Sequence, residues 1–421
     1  MKQERILLCL AHMSGKEMDF IKEAFDQNWV VPLGPNVNGF EDDLEAFVNK
    51  RDGAEPLHKK VVALSAGTAA VHLALLACGV GPGDEVLVQS FTFCASSHPV
   101  TYLGATPVFI DSEPDTWNMD PALLEEAIRD RIAKTGRKPK AIVPVALYGM
   151  PYRIDRIMEI ADRYGIPVVE DAAEGFGSRY CGCVLGTFGR YGVLSFNGNK
   201  MITTSGGGAL ICADDESKRQ IMWYATQARE SYPYYQHEAI GYNYRMSNIS
   251  AGIGRGQMTI VDEHIAHHRH VQALYRELLA DVEGVTLHEA PSAEFDSNYW
   301  LCTATLDPGL KIKGQENAYK KVITGAVGGA AGVTHATTSA TTDCQPNDNV
   351  EALRMYLDAA GIESRPLWKP MHRQPVYRNA PAYTNGVSES LFRVGICLPA
   401  GPWVTDDHVR YIVAQIKSAL A

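Results

Sequence analysis

The chain has 421 residues, of which 46% are hydrophobic and 21% charged, and its formal net charge at pH 7 is -10. Such a chain can bury a large core, and an acidic sequence without a basic stripe argues against nucleic-acid binding. No stretch approaches the roughly 20 apolar residues of a membrane span, and nine scattered cysteines favour a reducing cytoplasm over a disulfide framework.

Two amphipathic helices are predicted near the N-terminus. Ser14 and Glu17 have the spacing of a capping box. The helix that follows them has one apolar face, formed by Met18, Ile21 and Phe25. The second helix has a similar face, formed by Phe40, Leu44 and Phe47.

Strand-like and helix-like segments alternate from about residue 60 onward. A strand at 61–64 leads through a Gly-Thr turn into a helix that begins near Thr68, and the same alternation continues to the strand IPVVED. Strands separated by helices imply a parallel sheet covered on both faces, with ligands at the carboxyl ends of the strands. The strand ALICADD near residue 210 reads as antiparallel.

The start of the helix near Thr68 is a candidate anion site. A helix N-terminus presents free backbone N–H groups and the positive end of the macrodipole, which favour a phosphate. Strand, Gly-Thr turn and helix is a common arrangement in α/β proteins, so this signal is weak by itself.

Lys200 and Asp171 form the most informative pair of residues. Lys200 lies in a Ser- and Gly-rich turn between two strand-like runs, and Asp171 ends the strand IPVVED. A lysine amine can form a Schiff base with the aldehyde of pyridoxal phosphate, and a buried carboxylate can keep the pyridinium nitrogen protonated. Alone, the lysine could be a surface charge and the aspartate a helix cap.

The two motifs around this pair, S-F-N-G-N-K-M-I-T-T-S-G-G-G and E-D-A-A-E-G, resemble those of the nucleotide-sugar aminotransferases of the DegT/DnrJ/StrS group. The resemblance covers nearly the whole chain. It implies an α/β fold-type I pyridoxal-phosphate-dependent transferase with a mostly parallel seven-stranded sheet. It also implies a large cofactor-binding domain with an N-terminal arm at 1–258, and a linking helix with a small C-terminal α/β domain at 259–421.

The resemblance also assigns residues to roles. Lys200 and Asp171 would be catalytic, and Phe93 would stack on the pyridine ring. The phosphate would lie on Gly67, Thr68 and Ser195, and Glu174 of the E-D-A-A-E-G motif would join the cofactor-binding set. Asn243, in a stretch similar to the family's N-Y-R-M/L, would reach the cofactor phosphate of the neighbouring subunit, which makes a homodimer with shared active sites the expected assembly.

Four histidines on the helix after residue 260 raise the possibility of a metal site. The spacings of His264, His267 and His268 place them on one helical face. The sequence has no H-E-x-x-H pattern and no nearby cysteine pair, so we favour a solvated helix between the domains and expect no metal.

One stretch, at about 313–349, departs from the family pattern. Its centre, from Thr324 to Thr342, is uncharged and rich in Thr, Ala and Gly. It is typical of a surface loop or disordered excursion, because it can bury little apolar area.

The segment SRPLWKPMHRQPVY is the candidate substrate site, where Arg365, Lys369 and His372 could meet a diphosphate and Trp368 a sugar or base. Here the resemblance is closest to enzymes that move an amino group from glutamate to C4 of UDP-4-keto-6-deoxy-N-acetylhexosamines for glycan or exopolysaccharide synthesis. GDP-4-keto-6-deoxymannose and dTDP-keto-sugars are the alternatives. A sugar 3-dehydratase, in which histidine replaces the lysine, and a silent cofactor-binding regulator are the other possibilities.

Overall fold

The computed structural model describes residues 5–51, 53–319 and 344–421. The helices, α1 to α12 in chain order, span Glu17–Asp26, Pro35–Val48, Gly67–Ala77, His98–Tyr102, Pro121–Thr135, Ile154–Tyr164, Asp215–Ala225, Asn248–Met258, Val261–Leu279, Asp348–Ala359, Val387–Val394 and Asp406–Ala419. The strands, β1 to β15, span Lys60–Leu64, Glu85–Gln89, Thr106–Ile110, Ala141–Val143, Val169–Asp171, Arg179–Tyr180, Cys183–Val184, Tyr191–Ser195, Gly208–Cys212, Val285–Leu287, Phe295–Asp296, Cys302–Leu306, Arg365–Pro366, Ala382–Tyr383 and Gly395–Leu398.

The main sheet has the order β1-β9-β8-β5 on one side and β4-β2-β3-β14 on the other. The two halves are joined by parallel bridges between Ile142 and Val168 and between Val145 and Asp171. Only β9 runs antiparallel to its neighbours in this sheet. The predicted α/β fold with a mostly parallel sheet is confirmed, and the short strand β14 adds an eighth member from the C-terminal part of the chain.

The parallel strands place several chain segments at one edge of the sheet. β1, β5 and β8 are mutually parallel and end at Leu64, Asp171 and Ser195. Helix α3 begins at Gly67, directly after the end of β1. Residues that are far apart in sequence therefore meet at the carboxyl edge of the sheet.

A smaller antiparallel sheet with the order β10-β12-β15-β13 forms a second layer with α9, α10 and α12. Its core includes the buried side chains of Tyr275, Leu353 and Ile412. Thr405 caps α12, and the apolar face of that helix, formed by Val409, Ile412, Val413 and Ile416, is buried. Ile6, before α1, forms a parallel bridge with Ile362 of this smaller unit.

The two N-terminal helices differ in how they use their apolar faces. Phe40 and Leu44 of α2 are fully buried. On α1, by contrast, Met18 is 67% and Phe25 60% exposed. The carboxylate of Glu17 accepts the Ser14 N–H at 2.8 Å and is 5% exposed where α1 packs on α8. The predicted capping box is only half formed, because the Ser14 hydroxyl accepts the N–H of Lys16, which is the N-cap residue.

His264 and His268 correct the expectation of a solvated helix for α9, whereas His270 is exposed. His264 is 4% exposed and its Nδ1 lies 3.1 Å from the Met201 carbonyl, while His268 is fully buried beside the Tyr299 carbonyl. Burial lowers the pKa of His268 to about 3. These rings pack α9 between the two units instead of facing water.

The Thr-, Ala- and Gly-rich stretch from 324 to 342 lies outside the described residues. Among the described helices, none combines the length and apolar character that a membrane crossing requires.

Candidate active site

A cavity of about 340 Å³ lies at the carboxyl edge of the main sheet, where β5, β8 and the first turn of α3 meet. It gathers most of the residues proposed to bind the cofactor. Its walls include Gly67, Thr68, Phe93, Asp171, Glu174, Ser195, Lys200 and, from the predicted substrate segment, Trp368.

Lys200 reaches into this cavity from the turn that follows β8. Its side chain is only 12% exposed, and its Nζ lies 3.4 Å from Oε1 of Glu174. The same nitrogen is 4.1 Å from the centroid of the Trp300 ring. The amine is thus held inside the cavity by a carboxylate and an aromatic face.

Asp171 occupies the end of β5 and is 5% exposed. Its carboxylate accepts hydrogen bonds from the Ser96 hydroxyl at 2.6 Å and from the Ala173 N–H at 3.1 Å. Burial raises the pKa of this carboxyl, whereas Ser96, Ala173 and Lys200 lower it. A cation placed against Asp171 would further favour the ionised form.

Glu174 is a second buried carboxyl in the same cavity. Burial raises its pKa to about 7, although Lys200 and the Tyr148 N–H act to lower it. That N–H donates to Oε2 at 2.7 Å, so the carboxylate has a fixed orientation. Glu174 can therefore exchange a proton near neutral pH beside the lysine amine.

The first turn of α3, which also lines the cavity, is suited to a phosphate. No side chain in the described structure caps the first turn of α3, which begins at Gly67. A Cβ on Gly67 would lie 3.0 Å from the Ser195 Cβ, which is closer than side chains normally approach. A glycine here lets the helix start lie directly against Ser195, with its backbone N–H groups open to an anion.

Two aromatic residues stand at the mouth of the cavity. Phe93 is 55% exposed, and its ring centroid lies 5.2 Å from that of Trp368. The Trp368 N–H donates to the Tyr148 hydroxyl at 2.9 Å, which anchors the C-terminal segment to the main-sheet unit. This pair can flank a flat ring or a sugar face.

Three other predicted residues do not line the cavity. Arg365 donates to Glu363 at 2.7 Å. His372 lies between Ser90, at 2.7 Å, and Glu389, at 3.1 Å. Neither side chain lines the cavity, and Lys369 does not line it either.

Asn243 lies outside the cavity of its own chain. It is exposed in a separate surface depression, next to Arg245 and opposite Thr226.

Sequence reasoning missed three residues that shape the site: Ser96, Tyr148 and Trp300. Ser96 lies in a 3-10 turn after β2, and Tyr148 has an uncommon positive φ of 53°. Trp300 comes from the start of the smaller unit. None of them lies in the two motifs, and no local pattern predicts that they converge on Lys200 and Asp171.

The residues present fit pyridoxal phosphate. A buried acid for the ring nitrogen, a lysine for the aldehyde and an uncapped helix start for the phosphate line one cavity. When bound, the cofactor supplies an aldehyde that takes up amino groups and a ring that accepts electrons.

Comparison with known proteins agrees with this fit. The sequence model of the DegT/DnrJ/EryC1/StrS aminotransferase family matches residues 12–321 and 315–417. EpsN of Bacillus subtilis, provisionally named a pyridoxal phosphate-dependent aminotransferase, is 43% identical over 97% of this chain and 94% of its own length. GDP-perosamine synthase of Caulobacter vibrioides is 33% identical over 99% of this chain and 98% of its own.

The fold agrees as well. The crystal structure of a family aminotransferase from Brucella abortus matches with a TM-score of 0.79 and 27% identity, over 96% of this chain and 95% of its own. The chain therefore belongs to the DegT/DnrJ/EryC1/StrS aminotransferase family and is a pyridoxal-phosphate-dependent sugar aminotransferase.

Proposed function

We propose that the enzyme moves an amino group from glutamate to C4 of a UDP-linked 4-keto-6-deoxy-N-acetylhexosamine, in cytoplasmic synthesis of a glycan or exopolysaccharide. The observation that carries the aminotransferase chemistry is the convergence of Lys200, Asp171 and the start of α3 on one cavity. The choice of sugar is supported by the resemblance of the R-P-x-W-K-P-M-H, L-G-P-N-V and S-F-N-G-N-K stretches to that group of enzymes.

The side chains divide the work. Lys200 Nζ holds and moves the proton at the reacting carbon in both halves of the transfer. Asp171 keeps a negative charge at the buried end of the cavity, and the N–H groups of Gly67 and Thr68 with the Ser195 hydroxyl bind phosphate. Phe93 would pack on the face of the cofactor's pyridine ring.

The diphosphate of the sugar nucleotide needs cationic side chains that are not already paired with carboxylates of the protein. Arg365 and His372 already contact Glu363 and Glu389. We therefore assign the diphosphate first to Lys369, next to Trp368 at the mouth of the cavity, with Arg365 and His372 in supporting positions.

Asn243 is proposed to act across a homodimer. Inactive Lys200→Ala and Asn243→Ala dimers, mixed and allowed to exchange subunits, should regain partial activity, because one site of each heterodimer has both residues intact. If exchange is demonstrated, both parents are defective and no activity returns, Asn243 does not work across an interface.

A panel of keto-sugar nucleotides with glutamate tests the substrate. The highest kcat/KM should belong to the UDP-4-keto-6-deoxy-GlcNAc compound, with the product aminated at C4. The amino donor is tested separately, without any sugar. Glutamate alone should convert the absorbance of the bound cofactor. Amination at C3 would refute the proposed position, and a lack of conversion would refute glutamate.

GDP-4-keto-6-deoxymannose is the second candidate. The observation that favours it is the 33% identity to GDP-perosamine synthase along almost the full length of both chains. A higher kcat/KM for the GDP-sugar in the same panel would select this candidate and leave the transamination chemistry unchanged.

A further inference from the structure

Trp300 lies directly against the amine of Lys200. The Nζ is 4.1 Å from the ring centroid, and on another side it is 3.4 Å from Oε1 of Glu174. An ammonium within about 6 Å of an indole face is attracted by the negative face of the ring. The amine is thus held by two independent attractive contacts.

The Trp300 ring has little freedom to move. It is 2% exposed, and its Nε1 donates to the carbonyl of Asn199, the residue before Lys200, at 2.6 Å. Its backbone N–H donates to Oδ1 of Asn298 at 2.8 Å. One side chain therefore fixes both the lysine turn, through its N–H, and the lysine amine, through its face.

Asn298 joins this arrangement to Glu174. It is fully buried, and its Nδ2 donates to the carbonyls of Glu174 and Phe176, both at 2.9 Å. A Cβ on Gly149 would come within 1.9 Å of its Oδ1, so the close packing around Asn298 requires glycine there. The backbones of Trp300 and Glu174 are thus hydrogen-bonded to the same side-chain amide.

The carboxylate of Glu174 is oriented as well. Oε2 accepts the Tyr148 N–H at 2.7 Å, which leaves Oε1 directed to Lys200. Tyr148 has a φ of 53°, a strained conformation that a bulky residue rarely adopts. The surrounding structure keeps this strain in place, and the strained turn aims the N–H at Glu174.

We propose that Trp300 and Glu174 form a docking position for the Lys200 amine whenever that amine is not bonded to the cofactor, and that Trp300 is a positioning residue for it. The inference rests on the proposed function, in which the released amine moves protons in both halves of the transfer. A docked amine stays within reach of the reacting carbon between these steps, at the same place each time.

The test measures how fast acetic anhydride acetylates Lys200, by mass spectrometry, in enzyme loaded with pyridoxamine phosphate. In this form the lysine is free, and neither sugar nor amino donor is needed, so the result is independent of the proposed substrate. Trp300→Leu should speed acetylation of Lys200 about fivefold, the factor for a cation–π contact of about 1 kcal/mol. Trp300→Phe keeps an aromatic face and should give about twofold.

Trp368→Leu is the matched control, because Trp368 lines the same cavity but packs on Phe93 and Tyr148. Acetylation of its Lys200 should rise clearly less than in Trp300→Leu, because only access to the cavity changes. An equal rise in both leucine variants would mean that the cavity has simply opened, and a wild-type rate in Trp300→Leu would remove the docking role. If Trp300→Leu does not fold, an unchanged rate in Trp300→Phe overturns the proposal instead.

Discussion

The cavity is built from two regions that hold their polar side chains in different ways. At the cofactor end, Asp171 and Ser195 come from the ends of parallel strands, and Gly67 opens the helix after a third. At the substrate end, the segment 365–373 is an irregular run with a two-residue strand and a 3-10 turn.

The two regions differ in the contacts that their charged side chains make. In the first region Lys200 contacts Glu174, and Asp171 lines the same cavity. In the second region Arg365 and His372 bind the carboxylates of Glu363 and Glu389, and only Trp368 lines the cavity. The carboxyl edge of a sheet brings side chains together whatever their distance in sequence. The charged side chains of a loop can instead be used in ion pairs that stabilise the loop.

The largest effect should come from Lys200→Ala, at the centre of the first region. The variant should bind no cofactor covalently and show no turnover, while it stays folded because the position lies on a turn. Absorbance of the bound cofactor and an assay for the amino-sugar check both expectations. Turnover at the wild-type rate would mean that another amine does the work.

Asp171→Asn should rank second. The side chain keeps its size and its place beside Ser96 but loses the negative charge that holds the ring nitrogen protonated. We expect the cofactor to remain bound and the rate to fall by several powers of ten, the scale of a preorganised electrostatic contact. A loss within about tenfold would show that a different group holds the nitrogen.

Glu174→Gln tests the first region through stability in the apoenzyme. The folded protein raises the pKa of Glu174 from its usual 4.5 to about 7, so folding favours the protonated carboxyl. This stabilisation is present below about pH 4.5 and is lost as the pH rises through about 7, a change of roughly 3 kcal/mol at most. The wild type should therefore lose Tm over this range relative to the glutamine variant. Parallel Tm profiles would contradict the buried, titrating carboxyl.

The smallest effects should come from the second region. Lys369→Ala should raise the KM for the sugar nucleotide several-fold with little change in kcat, as expected when the ground state and the transition state lose the same binding energy. Arg365→Ala is the matched comparison and should stay within about twofold, because its guanidinium is held by Glu363. The reverse order would indicate that Arg365 leaves Glu363 when the sugar binds.

The same contrast explains how much could be predicted from the sequence. The alternation of strands and helices placed Asp171 and the start of α3 at one edge, because parallel strands all end on the same side of a sheet. Trp300 and Ser96 could not be predicted, since their positions depend on how separate segments pack. The exposed Met18 and Phe25 and the buried His268 went against expectation for the same reason: burial is set by neighbours that a helical period does not identify.

The short strand β14 has a consequence for motion. It comes from the C-terminal part of the chain, yet it adds to the edge of the main sheet beside β3, with Asp111 N–H donating to the Tyr383 carbonyl at 3.0 Å. Just beyond it, the Asp111 carboxylate accepts N–H groups of Asn385, Gly386 and Ser388. Main-chain groups of the C-terminal part of the chain thus form hydrogen bonds with the main sheet, in addition to packing against it. A wide hinge opening would have to break these hydrogen bonds, so we expect access to the cavity through small local displacements of side chains and loops.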